Sequence, residues 1–333
     1  MNLALKIDVD TLRGTREGVP VLAALLRKHG ADGTFLFSLG PDHTGRAIKR
    51  VFRPGFMGKV KRTSVVKHYG LRTLMYGTVL PGPDIGRRGR EVMRSVRDAG
   101  FEVGIHCWDH VRWQDGIAQA DEAWTRAEMQ RACDRYTEIF KEPPRTHGAA
   151  GWQMNVHALR QTQRLGFDYC SDGRGIGPHL PVWNGEIIRC PQLPTTLPTL
   201  DELIGRDGIT EENVAAHILA HTGAPVPTGH VFTLHAELEG MRLAPMLEQL
   251  LVGWKAQGWK LCSMRDLFES VQTVMLPRCM AGLAEIPGRS GTLLVQGQEF
   301  LGDIDATDMH AHDVAMPDST RNWQDSTLAG ELG

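Results

Sequence analysis

A chain of 333 residues with 41% hydrophobic and 23% charged residues has the composition of a globular protein with one large domain or two ordinary ones. Its formal net charge of -2 argues against a polyanion binder of the uniformly basic kind, and no apolar run approaches the roughly 20 residues that span a bilayer. Six cysteines without a CxxC pair, and an N-terminus without a basic and then apolar leader, lead us to expect reduced thiols and a cytoplasmic protein.

In chain order, the alternation of Leu3, Leu5 and Ile7 predicts a first strand over 3–9. It ends on Asp8 and Asp10, and Arg13 and Arg16 follow. A helix over 16–29 and a strand over 33–39 come next. Segment 41–83 then breaks the rhythm, being too long for a simple connection. Between His43 and Pro83 it carries nine Lys/Arg residues and no acid, interleaved with apolar residues such as Phe52, Phe56, Val60 and Tyr69. Further strands are expected at 101–106, 146–150, 167–171, 186–190 and 230–235. Helices are expected at 84–99, 125–140, 154–165, 211–221 and 242–257. The last stretch, 303–333, has seven acidic residues, one arginine and little apolar patterning, the composition of a disordered tail. Strand–helix alternation with short links predicts a parallel sheet with helices outside, as a distorted and incomplete (β/α) barrel. A doubly wound open sheet is the alternative.

Chemistry gathers at three strand ends. Asp8 and Asp10 leave the first strand on the same side, at the carboxyl end where parallel α/β folds bind ligands. His106 and His110, in "GIHCWDH", are four apart, a spacing that would put both imidazoles on one face of a helical turn. His235 closes the strand in "HVFTLHAELEG", where Glu237 and Glu239 follow. Two histidines and one carboxylate would leave metal positions open for water and substrate. One aspartate would then remain as a base, and the distant histidine as an acid. One divalent ion is expected, Zn first, with Mn, Co or Ni open.

The strings "IDVD", "HCWDH" and "TLHAE" resemble the first, second and fifth motifs of the NodB-homology polysaccharide deacetylase family, metal-dependent amide hydrolases on a distorted (β/α) barrel. "LKIDVDTLRGTREGVP", "FSLGPD", "AAGW", "LPTLDELIGRD" and "TLHAELEG" resemble the class within it that deformylates a lipid-linked formamido sugar. The resemblance runs from residue 3 to about 300, which implies one NodB-homology domain over 1–300, with 41–83 as an insertion and 303–333 as a tail. It implies Asp10, His106 and His110 as metal ligands, Asp8 as base and His235 as general acid. It also puts Ala150, Gly151, Trp152, Asp172, Arg174 and Glu237 at the substrate, and the backbone near Ala150–Gly151 at the oxyanion. The chain departs from the family at the third motif: in "THGAAGW", His147 stands where the family has an arginine, with Arg145 two residues earlier. Asp168 is a further candidate in the fourth-motif region "FDYCSDGRG". Arg13 and Arg16 are candidates for the substrate's phosphate or hydroxyls.

The implied reaction removes formyl from undecaprenyl-phosphate-linked 4-deoxy-4-formamido-L-arabinose, a step toward lipid A modification and resistance to cationic antimicrobial peptides. The alternative is a deacetylase of another lipid-linked or polymeric N-acyl sugar. The implied partners are the lipid-linked sugar and the anionic surface of the bacterial inner membrane, on whose cytoplasmic face the basic segment would lie. A nucleic-acid partner for that segment would leave the five convergent side chains unexplained.

Overall fold

The computed structural model describes residues 1–47, 71–271 and 276–302. Its strands are β1 (Asn2–Val9), β2 (Thr34–Ser38), β3 (Glu102–Cys107), β4 (Thr146–His147), β5 (Tyr169–Cys170), β6 (Leu180–Trp183), β7 (Glu186–Ile187), β8 (His230–His235), β9 (Lys260–Cys262), β10 (Arg278–Glu285) and β11 (Thr292–Glu299). The main sheet runs β5-β4-β3-β2-β1-β8, and every pairing in it is parallel. One edge of β1 pairs with β8; the other pairs with β9 over Asn2–Ala4 and with β2 from Lys6 onward. The barrel is incomplete between β5 and β8, where an irregular run over 191–196 takes the place of a strand. There Leu193 N–H donates to Cys170 O at 2.8 Å and Thr196 N–H to Val231 O at 3.1 Å.

The two faces of β1 have different surroundings. Leu3, Leu5, Ile7 and Val9 belong to the main apolar core, with Leu22 and Leu26 of the helix Val19–Lys28 among its members. Ala4 joins a smaller cluster with Tyr169, Val231, Cys262 and Met264, a floor inside the curled sheet. Register stacks the layers above it. Lys6 lies beside Thr34 and Thr233, and Asp8 beside Leu36 and His235. The inward positions thus climb from apolar to charged, toward the carboxyl ends of the strands.

All six expected helices form, at Val19–Lys28, Ile85–Asp98, Glu122–Phe140, Val156–Arg164, Val214–His221 and Ala244–Ala256. Asp84, Asp121 and Asn155 cap three of them by accepting a backbone N–H three residues on. The expected strand 186–190 is a correction. Only Glu186–Ile187 is extended, and it belongs to a second sheet ordered β11-β10-β6-β7. Residues 48–70 of the basic segment and 303–333 of the acidic tail lie outside the described residues.

Candidate metal centre and acid–base groups

His106 and His110 do not share a helical turn, contrary to what their spacing suggested. His106 lies in β3 and His110 opens the helix His110–Gly116, because Asp109 caps that helix by accepting the Arg112 N–H at 3.1 Å. The turn between them still brings their rings to 5.3 Å. Both Nε2 atoms face the same carboxylate oxygen, Asp10 Oδ1, at 3.2 Å for His106 and 3.4 Å for His110. That oxygen is buried and makes no hydrogen bond among the described residues. His106 Nδ1–H donates to Gly148 O at 2.7 Å, which fixes the tautomer that presents Nε2. An orphaned carboxylate oxygen facing two imidazoles, one of them oriented by Gly148 O, fits a divalent ion. Burial pushes the Asp10 carboxyl up, but His110 and His106 outweigh it and hold it far below the usual carboxylate range.

Asp8 lies one step deeper. Its Oδ1 is 3.6 Å from His106 Nδ1 and makes no hydrogen bond among the described residues. His235 is its register neighbour on β8, partly exposed, with Nδ1 also unbonded there. The structure therefore brings Asp8, Asp10, His106, His110 and His235 to the ends of three strands.

The remaining candidates separate by depth. Glu237 is buried, and its Oε1 accepts from Asp10 N–H at 3.1 Å, Thr11 N–H at 2.8 Å and Thr11 Oγ1–H at 2.8 Å. Burial, followed by the charge of Asp10, pushes the Glu237 carboxyl well up. A Cβ on Gly14 would lie 1.9 Å from Glu237 Oε1, and one on Gly18 would lie 2.0 Å from Ala236 O. The "RGTREG" and "HAELEG" strings are thus two halves of one packed joint. Asp172 is buried and accepts from His147 Nδ1–H at 2.6 Å, Ala149 N–H at 3.0 Å and Gln192 Nε2–H at 2.9 Å. Although His147, Cys170 and Asp172 are close enough to hold a metal, both Asp172 oxygens are already taken by these donors. Arg174 pairs with Glu202 at 2.5 Å, and both are buried. Asp172, Arg174 and Glu237 thus lie among protein partners that shape the site. Arg145 pairs with Asp168 at 3.6 Å on the surface. Toward the rim, Arg13 pairs with Glu17 at 2.9 Å and Arg16 donates to Arg88 O at 2.9 Å. Ala150, Gly151 and Trp152 form a tight turn, with φ of 61° at Gly151 and 54° at Trp152.

Sequence reading missed several groups. Asp42 ties two loops by accepting from Leu12 N–H at 3.0 Å and Thr44 Oγ1–H at 2.7 Å. His43 pairs with Asp109 at 2.6 Å. The most consequential is Lys6, fully buried, with Nζ 3.3 Å from Asp8 Oδ2. Its spacing, two residues before Asp8 on the same strand face, was the available signal.

The profile of the family described as polysaccharide deacetylase matches residues 5–170. A protein of Shewanella sediminis named 4-deoxy-4-formamido-L-arabinose-phosphoundecaprenol deformylase ArnD is 36% identical over 292 residues, covering 87% of this chain and 93% of that one. The chain belongs to the polysaccharide deacetylase family. A relative of the same name in Wigglesworthia glossinidia brevipalpis is 32% identical over 285 residues, covering 85% and 98%. A crystal structure from Mycobacterium smegmatis, described as a polysaccharide deacetylase, superposes with a TM-score of 0.57 at 18% identity, covering 86% and 95%, and shares the fold. The family makes this chain a metal-dependent hydrolase of an amide, as the sequence strings implied. Among the described residues, no helix is long and apolar enough to cross a membrane.

Proposed function

We propose that the protein removes the formyl group from a 4-formamido-arabinose carried on undecaprenyl phosphate, releasing formate and the free amino sugar for lipid A modification. The observation that carries this reading is the convergence of Asp8, Asp10, His106, His110 and His235 at one barrel mouth. Asp10, His106 and His110 would hold one divalent ion, with Zn suited to two imidazoles and a carboxylate. When bound, such an ion supplies Lewis-acid activation of water and of the acyl oxygen.

The chain's own groups do the rest. Asp8 Oδ1 takes the proton of the attacking water. Backbone N–H groups at Ala150 and Gly151 stabilise the negative charge that develops on the formyl oxygen. His235 gives a proton to the departing amine. Trp152 walls the pocket, while Asp172, Arg174 and Glu237 hold its backbone and loops. Arg13 and Arg16 at the rim take the phosphate. The basic segment brings the site to the cytoplasmic face of the inner membrane, where the lipid-linked sugar resides.

Formate release from a synthetic formamido-arabinose phosphoprenol, followed by mass spectrometry, tests the reading. Chelation should abolish release and added zinc should restore it. His106→Ala should lose both the metal and at least about 100-fold in turnover. A His106→Ala protein that kept one tight metal and full activity would refute the ligand assignment. Preferential turnover of the N-acetyl counterpart would point to a deacetylase.

A further inference from the structure

The family's third-motif arginine is absent here, and neither nearby candidate replaces it at the base. His147 is committed to Asp172 at 2.6 Å, and Arg145 lies on the surface with Asp168. A cation reaches Asp8 from another element. Lys6 is 0% exposed, and its Nζ lies 3.3 Å from Asp8 Oδ2 and 5.3 Å from the Trp152 ring centroid. It makes no hydrogen bond among the described residues, and Asp8 is the carboxylate it pairs with there. A lysine buried on a floor of Ala4, Val231 and Tyr169 is costly unless it is paired with an opposite charge.

We propose that Lys6 is the positioning residue of Asp8, taking over on β1 the counter-charge that the family draws from its third motif. The proposal rests on Asp8 being the base. The ammonium engages Oδ2, which turns Oδ1 toward His106 and leaves it free to accept a proton. The cation faces the Trp152 ring, as do the guanidinium groups of Arg174 and Arg289 at 4.9 and 4.7 Å. Gly148 clears room for the lysine stem, since a Cβ there would lie 2.9 Å from Lys6 Cε. The same glycine's carbonyl orients His106. One backbone residue thus serves both the counter-charge and a metal ligand.

The test uses the full-length zinc-loaded protein and a short, water-soluble 4-formamido-arabinose phosphate, with its N-acetyl counterpart run in parallel. Lys6→Met should keep one zinc per chain and a KM within about threefold, while kcat falls by about 100-fold or more, the scale of a misplaced general base. Lys6→Arg should recover to within about tenfold of wild type, because it restores the cation. Asp8→Asn combined with Lys6→Met should be no slower than Asp8→Asn alone, because both changes disable one unit. If Lys6→Met does not fold, Lys6→Gln is read in the same way. A zinc-loaded Met or Gln variant turning over within about twofold of wild type would overturn the proposal. So would a Lys6→Met loss that multiplied fully with the Asp8→Asn loss. Wild-type protein inactive on both N-acyl sugars would instead overturn the functional reading, and the proposal with it.

Discussion

Glu239 is buried behind His235, and its Oε2 accepts the His235 backbone N–H at 2.7 Å. Burial pushes its carboxyl up to about 7, against the opposing charge of His235 and that hydrogen bond. The folded chain therefore keeps this proton where the unfolded chain, near the ordinary glutamate value of 4.5, has lost it. The stability that the proton brings is complete below about pH 4.5 and is lost as pH rises through about 7. At about 1.4 kcal/mol per pKa unit, the loss is up to about 3 kcal/mol. Glu239→Gln imitates the protonated form, so denaturant titrations from pH 4.5 to 8 should give it a flatter stability profile than wild type. Parallel profiles would mean that Glu239 is ionised in the fold throughout. The principal side chains of the site are legible in sequence because a strand's period of two points Asp8 and Asp10 one way and ends β8 on His235. Lys6 carries the same spacing signal and still escapes notice, because a lysine inside an apolar run is indistinguishable from a solvated one until both faces of its strand are known to be covered. The His–Asp pairing of His147 with Asp172 joins β4 to the turn after β5, a contact that no local pattern encodes.

The hairpin of β10 and β11 reaches across to the site through its turn. Arg289 puts its guanidinium 4.7 Å from the Trp152 ring centroid and donates to Glu202 at 2.7 Å and Thr199 Oγ1 at 3.0 Å. Glu202 also takes Arg174, so one buried carboxylate clamps two arginines beneath the turn that carries Ala150 and Gly151. Burial pushes the Glu202 carboxyl up, but Arg174 and Arg289 outweigh it and hold it low. Arg289→Ala removes charge-assisted hydrogen bonds worth about 1.5–3 kcal/mol and leaves Glu202 half-compensated. Thermal denaturation should show a lower midpoint, and amide exchange should speed up in the hairpin and around 150–152. A variant with wild-type midpoint and exchange would show the hairpin to be merely appended. This second sheet is hard to foresee. Its β6–β7 hairpin is four and two residues long, and its β10–β6 pairing joins distant parts of the chain. Among the barrel strands β2 is the most legible, because Phe35, Leu36 and Phe37 form a continuous apolar run, as burial on both faces of a parallel sheet requires. The expected strand at 167–171 shortens to Tyr169–Cys170 because the irregular run that replaces a barrel strand pairs there only briefly.

At the scale of the molecule, a net charge of -2 conceals a segregation of charge. Nine basic residues without an acid lie between His43 and Pro83, and seven acidic residues with one arginine lie in 303–333. Within the segment 41–83, among the described residues, Val79 is 75% exposed. Each basic residue near anionic lipid contributes about 1 kcal/mol, and salt screens that attraction. If the segment meets anionic lipid as proposed and four of the nine engage, about 4 kcal/mol would draw the enzyme to that surface, and interleaved residues such as Phe52 and Phe56 would add a salt-resistant part by shallow burial. The purified protein should therefore co-sediment with anionic vesicles more than with neutral ones, and less as salt rises. Replacing Arg50, Arg53, Lys59, Lys61 and Arg62 together with Gln should weaken vesicle binding and turnover of the long-chain substrate. Turnover of a short, water-soluble analogue should be spared, because Asp8, Asp10, His106, His110 and His235 are untouched. Equal low-salt co-sedimentation of wild type and the five-Gln variant would mean that the basic run is only a solvated surface, and that the enzyme meets its lipid by another face.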